Sequence, residues 1–303
     1  MIGHPWLRVT ASVLFLLGAT AAGTYWWYLV RRPFVTGIHQ LTRTGHPKST
    51  VFGHRLQTDG TRVYFDELVD GRWRTAQVSV KGGEVSYIEI SPLLSTAVTA
   101  ISDDGSELAM WDRGQVEGGS PHTSYWTFKL PNGPARRIPG TYNRGSVEFI
   151  PGWQQVLFQK WPLDLNHLYV ANLDGSKERQ VLAFATPLDC FDYSQVSSLV
   201  SPDKWIRFCS GKKVWESRLD GTHIHPVAVG FNWVPGWSPD GRTYVFAEGR
   251  NSDLNNLWAV REFRLFSRLF TSRPVQLTNG HPFRSHILLS AKTASNSLRP
   301  CKM

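Results

Sequence analysis

Few residues in this 303-residue chain stand at spacings that do chemistry. His223 and His225 are two apart, so on a strand their rings share one face and could grip a metal together. No third ligand is evident, and two solvent-facing histidines are the preferred reading. Asn251 to Asn256, with Asp253, offers oxygen ligands but not the spacing of a calcium loop, so a plain turn is preferred there. The three cysteines, Cys190, Cys209 and Cys301, form no Cys-x-x-Cys pair and so write no zinc or redox motif. Cys190 and Cys209 fall within one structural unit, where two separately buried thiols are preferred to a disulfide. No Gly-x-Ser-x-Gly, His-Glu-x-x-His or phosphate-cradling glycine loop occurs. The expectation is therefore no catalytic residue, no metal ligand and no cofactor.

What the sequence does specify is a scaffold. Val234 to Phe246 reads Val-Pro-Gly-Trp-Ser-Pro-Asp-Gly-Arg-Thr-Tyr-Val-Phe. Pro239 presets φ, Asp240 bonds its own backbone and Gly241 accepts a positive φ, so a strand enters, reverses and leaves. Weaker copies stand at Leu56–Phe65, Ile101–Met110, Phe149–Phe158 and Leu199–Phe208. Each of these is followed by a second turn, at Lys81-Gly82-Gly83, Pro131-Asn132-Gly133, Leu173-Asp174-Gly175 and Leu219-Asp220-Gly221. Strand-like runs, Leu168-Tyr169-Val170 and Val214-Trp215, precede the last two. Two hairpins repeated at a period of about 40–50 residues predict a four-stranded propeller blade.

Five such units fit, at 50–95, 96–143, 144–186, 187–230 and 231–280. Thirteen Trp and sixteen Phe are then blade-to-blade packing. Ile38-His39-Gln40-Leu41-Thr42 resembles Val275-Gln276-Leu277-Thr278, which follows a blade as its outermost strand. The first copy has no blade before it. In a closed propeller such a strand completes the blade made by the other end of the chain and removes a sheet edge. After His281 the turns and aromatics stop, and an open arc of blades is expected.

Charge and hydropathy set the flanks. Of the formal +9, +7 lies from Arg261 onward, which describes a basic tail and not a nucleic-acid surface; no nucleic-acid partner is expected. Val9 to Val30 carries no charge and as a helix would be about 33 Å long, enough to cross a bilayer. Tyr25 to Tyr28 would lie among headgroups and Arg31-Arg32 would stop the span. A cleaved signal peptide ending near Ala19–Ala22 is the competing reading; a retained anchor is preferred because the apolar run continues past those alanines. Positive residues after the span, Arg31, Arg32, Arg43 and Lys48, place the propeller in the cytoplasm if counted alone. In Arg261 to Ser272, Phe263, Phe266 and Phe270 fall at helical spacing against Arg261, Arg264 and Arg268. That is the pattern of a helix lying on an anionic membrane, but a solvated loop between outer strands is preferred.

Trp237-Ser238-Pro239-Asp240-Gly241-Arg242, with Leu257-Trp258-Ala259-Val260 and Gln276-Leu277-Thr278, resembles the TolB-like, WD40-like (PD40) β-propeller repeat across most of residues 38–280. The arrangement also looks like the transmembrane-plus-propeller part of acidobacterial-type winged-helix membrane regulators, with Arg31-Arg32-Pro33 as the boundary. No winged helix precedes the span, and propellers of this type have six or more blades, so the chain resembles a truncated or diverged middle of that architecture. The resemblance implies a bacterial inner-membrane protein with a periplasmic propeller, against the charge count.

The expected architecture is all-β: a propeller of about five four-stranded blades, incomplete, preceded by one transmembrane helix. Residues 1–32 are the anchor, 33–49 a linker with the orphan strand, 50–280 the propeller and 281–303 a basic irregular tail. The expected function is non-enzymatic binding or sensing, with lipid around residues 9–30 and a protein or peptide on the propeller face. The alternative is a propeller enzyme, lactonase-like or peptidase-associated, with its site in the central channel. Such enzymes aim His, Asp or Glu inward from several blades, and none recurs here at one blade position.

Overall fold

The computed structural model of the chain describes residues 5–30, 33–35, 39–48, 56–112, 124–139, 141, 147–152, 154–160, 164–188, 200–201, 203–210, 213–227, 236–238, 240–248, 256–265 and 268–278. A helix, α1 (Pro5–Val30), comes first, and five antiparallel sheets follow in chain order as the blades of a propeller. Blade one is β1 (Gln57–Thr58), β2 (Arg62–Val69), β3 (Arg72–Ser79) and β4 (Ser86–Tyr87). Blade two is β5 (Thr96–Ile101), β6 (Glu107–Asp112), β7 (Ser124–Lys129) and β8 (Ala135–Arg137). Blade three is β9 (Val147–Phe149), β10 (Gln155–Lys160), β11 (Asp164–Asn172) and β12 (Arg179–Ala183). Blade four is β13 (Trp205–Ser210), β14 (Lys213–Arg218) and β15 (His225–Pro226), with Val200 bridging to Ile206 where an innermost strand would run. Blade five is β16 (Gly236–Trp237), β17 (Thr243–Glu248), β18 (Asn256–Leu265) and β20 (Val275–Gln276); β19 (Arg268–Thr271) pairs with the far end of β18.

The Asp-Gly turns form for the reasons their residues give. Gly241 has φ 66° and its amide bonds the Ser238 carbonyl, while Asp240 Oδ1 accepts from the Arg242 amide at 3.1 Å. Ser238 Oγ accepts from the Thr243 amide at 2.9 Å. Ser102, Asp104 and Gly105 repeat the arrangement in blade two, with Gly105 at φ 71°. In blade four Ser201 keeps its role, with its hydroxyl bonded to Asp203, but the left-handed position is taken by Lys204, at φ 63°. An L side chain there costs about 1 kcal/mol. Lys204→Gly should therefore stabilise the chain by about 0.5–1 kcal/mol, read as a higher urea midpoint with unchanged slope.

Packing runs blade to blade. Tyr64, Val98, Leu108 and Phe128 join blades one and two. Tyr125, Phe149 and Phe158 join two and three. Leu157, Leu168, Ile206 and Phe208 join three and four. Val214, Tyr244 and Phe246 join four and five, with Trp237 and Trp258 against them. The remaining cluster, Val63, Phe65, Ala76 and Val78 on blade one, is covered by Leu41, Leu56, Val85 and Tyr87, and among the described residues includes no side chain of blade five.

The segment 39–48 thus lies against blade one, whereas among the described residues the strand pairings of blade five involve only its own strands. The sequence match it suggested is nevertheless real at atomic detail. Gln40 Nε2 donates to the Thr42 carbonyl at 2.9 Å, and Gln276 Nε2 donates to the Thr278 carbonyl at 2.8 Å. Segment 39–48 is held by a buried carboxylate. Glu67, fully buried, pairs with Lys48 Nζ at 2.5 Å and accepts from Thr44 Oγ1 and the Tyr87 hydroxyl, both at 2.7 Å. His46 Nδ1 stands 3.4 Å from the same carboxylate.

Burial pushes the Glu67 carboxyl up, but the bonds from Lys48, Thr44 and Tyr87 outweigh it and hold the group below its ordinary 4.5. A carboxylate whose folded value is depressed stabilises the fold above its unfolded value and loses that contribution as pH falls through the folded one. Glu67→Gln should lower the urea midpoint at pH 7. The difference from the unsubstituted chain should shrink steadily below about pH 4.5.

Two expectations are corrected. Residues 261–265 and 268–271 are neither an amphipathic helix nor a loop; they are strand, with Phe263 opposite Phe270 and Arg264 opposite Leu269. Cross-strand pairing satisfies the backbone there, and the helical spacing of the phenylalanines was coincidental. Cys209, 3% exposed, is disulfide-bonded and not a free buried thiol. Its partner, Asn251–Asp253, Pro239, Phe266 and the tail from His281 lie outside the described residues.

Candidate binding site between the helix and the turn face

In every four-stranded blade the first-to-second and third-to-fourth turns emerge on one face of the propeller, and the second-to-third hairpin emerges on the other. The Asp-Gly turns at Asp59, Asp104, Asp174, Asp220 and Asp240 are on the first of these, here called the turn face, and the Asp70-Gly71 turn is on the other. The α1 helix meets that face beside blades four and five: the Tyr25 and Phe263 rings stand edge to face at 5.5 Å. Among the described residues α1 is the one helix long and apolar enough to cross a membrane, at 26 residues or about 39 Å. Phe15 is 75% exposed and Leu14 69%, and the apolar surface runs all round the helix, as a span in hydrocarbon requires.

Between α1 and the turn face lies a cavity of about 520 Å³. The helix supplies Ala21, Thr24 and Tyr25 to its wall. The propeller supplies Phe263 together with Asp203, Asp240, Arg242, Glu262 and Arg264. Both signs of charge therefore line it, and its volume falls within the range of small-ligand sites.

Behind this wall is a buried ionic network that ties blade four to blade five. Arg207, 2% exposed on β13, donates from Nε and Nη2 to Glu216 Oε2 on β14 at 3.0 and 2.9 Å. Its Nη2 is also 2.7 Å from Glu262 Oε1 on β18. Arg264 Nη2 reaches Glu216 Oε2 at 2.6 Å and its Nε stands 3.5 Å from Asp203 Oδ2. Trp237 Nε1 donates to Glu262 Oε2 at 3.0 Å. The guanidinium of Arg207 lies 4.2 Å from the Tyr244 ring centre and 4.6 Å from that of Trp237; Arg264 lies 4.1 Å from Trp205. Burial pushes the Arg207 guanidinium down, but Glu262, the Tyr244 ring and Glu216 outweigh it, so it is held above its ordinary range and stays charged. Tyr244 is pushed up to about 12 by burial and remains a neutral phenol.

The residues singled out for metal chemistry are placed otherwise. His223 sits at a turn with φ 58°, and its Nδ1 meets Thr222 Oγ1 at 2.9 Å. His225 Nδ1 meets the His223 carbonyl at 2.8 Å, and both rings stand edge-on to Trp205. The pair shares a face, as its spacing requires, but that face is an aromatic wall. Among the described residues no group of three His, Cys, Asp or Glu is placed to hold a metal ion. The network itself went unread in the sequence. Its signal was a charge inside a strand with no polar alternation: Trp205-Ile206-Arg207-Phe208-Cys209-Ser210 is buried at every position.

No family model matches the chain, and no curated protein matches it in sequence. Solved structures do match in shape. A TolB protein from Agrobacterium tumefaciens aligns over 81% of this chain and 87% of its own, with TM-score 0.55 and 16% identity. TolB from Acinetobacter baumannii aligns over 80% of this chain at TM-score 0.54 and 14% identity. The chain has the fold of a TolB-like β-propeller. It spans 57% of the Acinetobacter protein, so the likeness concerns the propeller and not everything that protein contains.

Proposed function

We propose that this TolB-like chain is a membrane-tethered, non-enzymatic binding or sensing module. In this reading α1 lies across the bacterial inner membrane and the propeller stands in the periplasm, where it presents a face to a protein or peptide partner. The observation that carries it is the docking of α1 on the turn face beside blades four and five. That contact, with the Glu67 clasp on segment 39–48, holds the propeller at the membrane with its turn face inward. The opposite face, where β2 turns into β3 through exposed Asp70, Gly71 and Arg72, is then free for a partner. The disulfide at Cys209 supports an oxidising compartment and so the periplasmic side, against the count of positive residues.

The test has two arms. Carbonate extraction should leave the full chain in the membrane pellet; a soluble product with an N-terminus near Ala22 would make α1 a signal peptide instead. A photo-crosslinking residue at Arg72 should give discrete adducts in intact cells, and one at Asp104 on the turn face should give fewer. Equal labelling from both positions would remove the face assignment.

A further inference from the structure

Blade five carries a strand pair past the end of its own sheet. β17 begins at Thr243, opposite Arg261, and the amide of Glu262 bonds the Arg242 carbonyl. β18 then runs on through Phe263, Arg264 and Leu265, and among the described residues this extension pairs with β19 alone. At about 3.3 Å per residue, residues 262–265 carry the ribbon about 13 Å out from the turn face. A two-stranded ribbon is marginal in water unless it packs against something. By register Phe263, Leu265 and Phe270 hold positions on one face, with Arg268 at the turn end opposite Leu265. Glu262, Arg264, Leu269 and Thr271 hold the other. The second face is turned to the propeller, since Arg264 reaches back to Glu216 at 2.6 Å and its guanidinium lies 4.1 Å from the Trp205 ring centre. The first face is turned to α1, through the contact of Phe263 with Tyr25.

What else that face meets follows from where the contact lies. Tyr25 is next to the end of the apolar stretch Val9–Trp26, so it stands at headgroup depth when α1 crosses a bilayer. Ala21, Thr24 and Tyr25 line one cavity with Glu262, Phe263 and Arg264, so helix and ribbon run side by side there. From that contact both lead away from the propeller: β18 beyond its blade, and α1 through its exposed residues Leu14 to Leu17. A single helix about 10 Å wide covers only part of the ribbon, and lipid meets the rest. The ribbon suits that place. After Glu262, whose carboxylate is buried against Arg207, it contains no acidic residue. Phenylalanine, leucine and arginine are the residue types of segments at the boundary between headgroups and acyl chains, and an arginine such as Arg268 is of the kind that reaches a headgroup phosphate from that depth. We infer that the β18–β19 ribbon is a second membrane contact, which sets the positions of Leu265 and Phe270 at the edge of the acyl chains beside α1 and fixes the turn face against the bilayer.

This inference rests on α1 lying in the membrane, and the experiment separates the two. The full chain is reconstituted into nanodiscs whose phosphatidylcholine carries a photoactivated diazirine on an acyl chain, and labelled peptides are located by mass spectrometry. Label should appear on α1 and on residues 262–271. On the ribbon it should exceed that on the hairpin 69–72 of the opposite face at least about tenfold, the partition expected from burying one large apolar side chain. Phe270→Asp should cut the ribbon's label about tenfold for the same reason and leave that of α1 unchanged. Phe270→Tyr, which keeps the ring, should retain the label. The unsubstituted chain decides the matter even where the aspartate variant fails to fold. Label on α1 with the ribbon no higher than 69–72 would overturn the ribbon contact and leave the anchor standing. Ribbon label unchanged in Phe270→Asp would overturn it too, because α1 alone would then hold the ribbon near lipid. A chain with no label on α1 would overturn the anchor, and the ribbon contact with it.

Discussion

Arg207→Met should lower the unfolding free energy of the chain by about 3–5 kcal/mol, the cost typical of removing one partner from a buried ion pair. Arg207 Nη2 stands 2.7 Å from Glu262 Oε1, and Glu216 keeps a second cation, Arg264, at 2.6 Å. The loss falls on both carboxylates, and Glu262, 4% exposed, keeps the bond from the Trp237 indole. Glu262→Gln in the Arg207→Met background should recover part of the stability, so the double-variant cycle should show a coupling above about 1 kcal/mol. Arg207→Lys should fall between, because an ammonium keeps the charge but gives up both the two-nitrogen contact to Glu216 and the stacking between Tyr244 and Trp237. Urea unfolding of the full chain in detergent micelles, followed by tryptophan fluorescence, reads all four variants without masking the charges. A loss under about 1 kcal/mol in Arg207→Met would mean that solvent reaches the network and relieves it.

That network shows where sequence reading ends. The turn at Asp240-Gly241 was legible because its causes are local: an aspartate that bonds an amide two residues on, and a glycine at a left-handed φ. The blade count followed from repetition of such turns, and the similarity of Gln40-Leu41-Thr42 to Gln276-Leu277-Thr278 followed from a hydrogen bond within each segment. Arg207 is different. Its partners are nine residues away on β14 and much farther along the chain on β18, and nothing in the residues beside it names them. The disulfide at Cys209 likewise depends on which segments the fold brings together. The strand at 261–265 was read as a loop because its phenylalanines, three and four apart, show no strand alternation, and the partner that pairs with it at 268–271 is not named by the residues beside it. The cavity under α1 was illegible for the same reason, since its walls come from residues 21–25 and 203–264.

The row of turns that the sequence did show also predicts the second large effect, at Gly221. Gly221 has φ 81°, and a Cβ built on it meets the carbonyl oxygen of Val181 in the neighbouring blade closer than the 3.0 Å that real Cβ atoms keep. Backbone cannot swing away as a side chain can, so Gly221→Ala must part blade four from blade three along the seam where Val181, Leu182 and Leu219 pack. Gly60 is the control. It has φ 87° at a turn of blade one, and its Cβ would meet nothing within 4 Å. Gly60→Ala then carries only the backbone cost of a left-handed alanine, about 1 kcal/mol. Gly221→Ala carries that cost and the loss of close packing between blades as well, and should destabilise by about 3 kcal/mol or more. Gly175, at φ 79° and with the Pro139 carbonyl 3.3 Å from a built Cβ, should fall between them. The order Gly60, Gly175, Gly221 in urea midpoints is the readout. Because each blade is stabilised through its neighbours, the Gly221 variant should also lose cooperativity, with blades four and five unfolding ahead of the rest. If all three alanine variants lose the same stability, the turns do not bear on adjacent blades, and the seam between blades three and four is held by the apolar cluster alone.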